Sequence, residues 1–153
     1  MPLPEVQAML DLSFAIGHHL LVFGLAGVLC AELIAVRRGM DQAAVARVAA
    51  VDLWYGILAG LILIIGFARA TMAAKGWAYY SHNGFFWAKI VTFVLVGLLS
   101  APPTIAYIGW RRADATPSDA QVAGVRRFLY LEVALFALLP AFAAAMARGY
   151  GQF

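Results

Sequence analysis

The sequence predicts an all-α membrane protein, an up-down bundle of four transmembrane helices with both termini on the outer side. Three observations carry that prediction. Of 153 residues, 64% are hydrophobic and only 12% are charged, about half the charged share of an ordinary soluble domain. The apolar excess gathers in four stretches of roughly 20 residues, the length that crosses a bilayer core of about 30 Å. The basic residues gather in two of the three loops. This composition argues against a soluble enzyme, a disordered tail and a secreted disulfide scaffold; the one cysteine, Cys30, cannot form an internal disulfide. A net charge of +3 does not call for nucleic acid, because loop arginines that set membrane topology produce it.

The chain, 1–153, reads as one four-span domain. Span one covers about residues 12–36 and stops at Arg37-Arg38. It has no Lys or Arg before it and is too long for the apolar segment of a cleaved signal peptide. In the loop that follows, Asp41 caps a helix running through Ala43, Ala44, Val45 and Ala46 into span two, about residues 51–74. Within span two, Gly56 and Gly60 form a small-xxx-small pair that lets helices approach closely. Between spans two and three, Trp77, Tyr79, Tyr80 and Trp87 suit the headgroup level, with a lid over a ligand as the alternative, and Asn83-Gly84 is a turn signal. Span three covers about 85–110, with Pro102-Pro103 inside it. Ser118-Asp119-Ala120-Gln121 has the pattern of a capping box, starting a helix about two turns ahead of span four, about 128–147. Pro140 interrupts backbone hydrogen bonding there.

Charge sets the orientation. Arg37, Arg38 and Arg47 lie in the first loop and Arg111, Arg112, Arg126 and Arg127 in or beside the third, against Lys75 and Arg148 on the opposite side. By the positive-inside rule the arginine loops are cytoplasmic and both termini periplasmic. With no organelle-targeting signature, a bacterial inner membrane is the expected home.

Ionisable groups inside spans are costly and usually carry a role. Sorted by depth, they form two layers. The outer layer holds His18 and His19 in span one, Arg69 late in span two and Lys89 early in span three. The inner layer holds Glu32, Asp52 and Glu132. Ion pairs with nearby arginines, Glu32 with Arg37 and Glu132 with Arg127, would account for the inner acids; a proton path would require them to meet across helices. The outer layer, with two cations, two imidazoles and no acid nearby, suits an anionic or redox ligand such as haem propionates, a quinone carbonyl or a lipid phosphate. Imidazole is a common iron ligand. Neighbouring side chains on a helix point about 100° apart, so His18 and His19 do not serve one iron together. Any haem would take one of them and then a weaker ligand, an open position, or His82 folding in from the outer loop. No nucleotide-binding glycine loop, HExxH, CxxC pair or nucleophile elbow occurs.

Several segments carry a resemblance. Asp52-Leu-Trp-Tyr-Gly56, Gly76-Trp-Ala-Tyr-Tyr80, His82-Asn-Gly-Phe-Phe-Trp-Ala-Lys89 and Met146-Ala-Arg-Gly149 resemble a bacterial domain-of-unknown-function family of small four-span membrane proteins. More distantly, the chain is similar to HemJ-type protoporphyrinogen oxidases. His19-Leu20 resembles the functional His of their first helix, Gly84-Phe-Phe-Trp-Ala-Lys89 the opening of their third, and Arg127 with Glu132 the polar pair of their last. That resemblance implies His19 as haem ligand, Lys89 beside porphyrin carboxylates, and electrons leaving to quinone. The chain departs from it in having Glu32 where the pattern has an Arg, and in having Arg69 and His18.

Two functions compete. One is a membrane redox protein that binds haem b or a related porphyrin and exchanges electrons with quinone. His19, or failing that His18, would be the metal ligand, with His82 and the cations Lys89 and Arg69 also contacting the cofactor. Lys89, Arg69 and Glu132 would be the catalytic groups. The other is a non-enzymatic accessory subunit or lipid-binding module, in lipid contact and assembled as a homo-oligomer or in a larger complex. A small transporter or proton channel is a third, weaker option.

Overall fold

The computed structural model describes residues 3–72 and 76–153; Lys75, counted above among the outer charges, lies outside the described residues. Helix is the one regular structure that satisfies its own backbone in lipid without a closed barrel, and the chain uses little else. The helices are α1 (Leu3–Ala35), α2 (Gln42–Met72), α3 (Gly76–Ser81), α4 (Gly84–Arg112), α5 (Asp119–Phe136) and α6 (Leu138–Ala147). Four segments are long and apolar enough to cross a membrane: Glu5–Ala35, Gln42–Met72, Gly84–Arg112, and Asp119–Ala147, which joins α5 to α6. Apolar side chains face outward along the shafts, Phe23 at 72% exposure and Ile34 at 77%, as expected of surfaces that meet acyl chains.

Caps fix where the loop-side helices begin. The Asp41 carboxylate accepts from the Ala44 amide at 2.7 Å. Ser118 and Gln121 close a reciprocal capping box, with Ser118 N donating to Gln121 Oε1 at 2.8 Å and Gln121 N to Ser118 Oγ at 3.3 Å. At the other end Arg126 donates to the carbonyls of Leu33, in the last turn of α1, and of Val36 just past it, where a helix end leaves carbonyls without a partner of its own.

The helices pack as a ring, α1 on α2, α2 on α4, α4 on both α5 and α6, and α5 back on α1. The core inside it includes Leu25, Leu29, Val48, Ile62, Val96 and Leu129. One neighbour is missing: α6 touches α4 and α5 but not α1. Pro140 sits in the first turn of α6 and brings no N–H to the carbonyl four residues back. The helix is interrupted at Ala137, which itself keeps helical dihedrals, and beyond it α6 makes no contact with α1. Pro102 and Pro103 are instead carried inside an unbroken α4. Gly56 and Gly60, expected to let helices meet closely, are exposed, and a Cβ at either would find no atom within 4 Å; α2 makes its contacts within the chain through its other faces.

Asn83-Gly84 is a clasp rather than a simple turn. Asn83, fully buried, accepts through Oδ1 from the amides of Phe85 at 2.9 Å and Phe86 at 3.1 Å, capping α4, while its Nδ2 donates to Tyr150 O at 2.9 Å. Gly84 N donates to Gly151 O at 2.8 Å, and Phe153 N to His82 O at 3.1 Å. Gly151 has φ +80°, and a Cβ there would lie 2.7 Å from Phe85 Cδ2. Gly151→Ala is therefore expected to release the tail, with about 1–2 kcal/mol from the left-handed backbone alone. Amide exchange at Gly84 and Phe153 measures it; unchanged protection of both would refute the clasp.

Candidate functional site

The missing α1–α6 contact opens a cavity. Its volume is about 520 Å³, and its walls come from α1, α2, α4, α5 and α6. They are apolar, with Phe67, Phe86, Phe93 and Pro140 among them, and the ionisable groups that line it are His18, His19 and Lys89. A space of that size and lining is typical of a cofactor or small-ligand site.

Backbone and neighbours set the two imidazoles differently. His19 places Nδ1 2.6 Å from the Ala15 carbonyl one turn back. A carbonyl only accepts, so Nδ1 carries the hydrogen, and neutral His19 keeps its lone pair on Nε2. Metal-binding histidines are commonly oriented in this way. The His18 ring lies against Gly66, where a Cβ would stand 3.5 Å from Cε1. Its Nδ1 is buried with no hydrogen-bond partner among the described residues. The rings meet edge to face with centroids 6.2 Å apart. The charges of Lys89 and Arg69 both act on His18.

The other residues singled out from the sequence stand elsewhere. Arg69 is not part of the cavity lining; its Nε lies 3.7 Å from Asp11 Oδ1. The outer layer thus contains an acid that the sequence reading left out, because Asp11 falls just before the apolar stretch, while α1 begins a further two turns upstream. His82 is exposed, with Nδ1 2.9 Å from Ala78 O and 3.2 Å from Ser81 Oγ, and its ring faces Phe153. It does not line the cavity. Of the outer aromatics, Trp77 and Trp87 are exposed, while Tyr80 packs with Ala70 and Phe86 and Tyr79 donates to Met146 O at 3.2 Å.

Glu132 belongs to a second cluster, toward the arginine loops. Glu32 and Glu132 are 2% and 1% exposed. Neither forms the ion pair expected from spacing: among the described residues the ion pairs are Arg38–Asp119 at 3.9 Å and Arg69–Asp11. Arg37 and Arg127 are exposed. Both glutamates are buried; on α5 a residue five positions away points about 140° elsewhere, which turns Arg127 from Glu132, and Arg37 lies past the end of α1. Glu32 on α1 instead faces Tyr107 on α4, and Glu132 on α5 faces Tyr55 on α2. The two pairs cross the ring along its diagonals. Asp52, half-buried, accepts from Thr104 Oγ1 at 2.7 Å. Sequence reading missed both tyrosines and Thr104. The available signal was the spacing Asp52-x-x-Tyr55 and Thr104-x-x-Tyr107, each putting two polar groups on one helix face.

A groove of about 380 Å³ between α2 and α4 exposes Asp52, Ser100 and Thr104, and Phe93 lines both this groove and the larger cavity. No group of three or more His, Cys, Asp or Glu side chains is placed to hold a metal ion among the described residues; a porphyrin iron needs only one.

A family model described as "Predicted membrane protein (DUF2214)" matches residues 10–151, a stretch that contains both clusters. No curated protein matches the chain, and no solved structure does.

Proposed function

The chain belongs to the DUF2214 family of membrane proteins, and we propose that it is a membrane redox protein binding a b-type haem or related porphyrin and exchanging electrons with quinone. One observation carries this reading: the cavity of about 520 Å³ is walled by apolar side chains except at His18, His19 and Lys89. The donor set fits the group. His19, whose Nδ1 is held by the Ala15 carbonyl, would hold the iron through Nε2, with the unpartnered His18 Nδ1 as the other candidate. Lys89 would neutralise a porphyrin carboxylate, and Arg69, engaged by Asp11, adds positive potential. When bound, haem supplies one-electron chemistry. The apolar walls exclude water from the ring, and the gap between α1 and α6 admits a lipid-soluble partner such as quinone. The charge bias of the loops supports a cavity on the periplasmic side of a bacterial inner membrane.

The test is the visible spectrum of protein made with ample haem. A Soret band is expected, lost in His19→Ala or, if His18 is the ligand, in His18→Ala. Absence of the band, or a band unchanged in the double variant, would sink the reading. A second reading, an accessory subunit of a larger complex, is favoured by the outward Gly56–Gly60 face, which suits close approach of another membrane helix. It expects a colourless protein that co-purifies with a partner lost on Gly56→Leu.

A further inference from the structure

The structure assigns a second site: the crossed pairs Glu32–Tyr107 and Glu132–Tyr55, with Asp52, form a proton-exchange site in the bundle axis, reached through the groove between α2 and α4. It stands on residues outside the cavity and does not depend on the haem reading.

The first ground is unmet hydrogen-bonding capacity. Tyr107 is 0% exposed, yet its hydroxyl has no hydrogen-bond partner among the described residues; nor do Glu32 Oε1 and both carboxyl oxygens of Glu132. Buried polar atoms are almost always paired; Glu32 interacts with Tyr107 and Glu132 with Tyr55, and the oxygens left over can still take up a hydrogen.

The second ground is charge. An ionised carboxylate enclosed without a cation is costly, and among the described residues no cation forms an ion pair with these. The groups facing the cluster are Glu32 from α1, Asp52 and Tyr55 from α2, Tyr107 and Thr104 from α4, and Glu132 from α5. Arg126 on α5 is committed to the carbonyls of Leu33 and Val36 and to the Tyr130 hydroxyl, and Arg127 is exposed. Each acid acts electrostatically on both tyrosines. Three carboxyls so close repel one another when charged, and a proton shared among them relieves that repulsion.

The third ground is access. Asp52 is half-buried and lines the groove between α2 and α4, giving protons a way in that does not cross the outer cavity. The step is a bare proton transfer. An O–H bond forms on a carboxylate oxygen as one in a hydronium ion breaks, and nothing is oxidised or reduced.

Infrared difference spectra of the full chain in lipid nanodiscs, acid against alkaline, test the site. A protonated-carboxyl band is expected that shifts in heavy water. It should weaken in Glu32→Gln and in Glu132→Gln and vanish in the double variant. Tyr107→Phe, which keeps the ring and its packing, should move the band without removing it, so the test survives if a Gln variant fails to fold. A spectrum with no such band, or one that ignores all of these substitutions, overturns the proposal. So does a band that sodium ions abolish at constant pH, since the site would then hold a metal cation.

Discussion

Lys89→Ala is expected to weaken binding of a carboxylate-bearing porphyrin about 10- to 100-fold, the equivalent of the roughly 1.5–3 kcal/mol of one hydrogen bond to a charged group. The ammonium faces a cavity whose remaining walls, apart from the two imidazoles, are aliphatic and aromatic. Loss of Lys89 therefore leaves an anion with little to compensate it nearby. Arg69 is the nearest other cation named in the site, and Asp11 engages it. Absorbance titration with haem and with its dimethyl ester separates charge from packing. The ester has no carboxylate, so its affinity should be the same in both proteins, while haem should discriminate between them. Lys89→Arg should retain most of the haem affinity. Equal loss for haem and ester would show that Lys89 supports the cavity's shape and not its charge.

Tyr107→Ala is expected to be among the most damaging truncations in the bundle, costing about 3–5 kcal/mol by analogy with other buried aromatics. The ring is fully enclosed and packs against Trp110, centroids 5.7 Å apart. Tyr107→Phe should cost far less. The hydroxyl has no hydrogen-bond partner among the described residues, and even formed side-chain hydrogen bonds in membrane helices average about 0.6 kcal/mol. Unfolding in mixed micelles of rising SDS fraction measures both. If Phe were as harmful as Ala, the hydroxyl and not the ring volume would hold the diagonal together, contrary to its geometry.

The long-range architecture is legible in the sequence because lipid demands it: apolar length sets the spans, and short arginine loops make consecutive helices neighbours. Local chemistry is legible too where it is sequential, as in the Asp41 cap and the Ser118–Gln121 box. What sequence order hides is azimuth. Glu32 and Arg37 are close along the chain but the expected ion pair does not form, while Tyr107, 75 positions further on, is the group that meets Glu32. Tyrosines in a membrane sequence suggest interfacial belts, and nothing local marks Tyr55 and Tyr107 as interior. Gly56 and Gly60 show the converse, a packing motif that faces outward. The clasp was hidden because Asn83-Gly84 gives a turn signal of its own, and only the returning tail reveals that Asn83 also binds Tyr150. His18, His19 and Lys89 were findable because a polar group in an apolar helix stands out whatever it faces.

The absence of contact between α1 and α6 also decides the phase from which a ligand arrives. On the proposed reading the way in leads through hydrocarbon, so a visitor first dissolves in the bilayer, gaining about 0.8 kcal/mol for each buried CH₂ before it meets the protein. Acyl chains compete for the same gap. A Kd expressed in moles per litre of water would then change with the quantity of lipid in the assay. The constant that survives dilution is a mole fraction in the membrane, and occupancy responds to how crowded the leaflet is rather than to what the surrounding water contains.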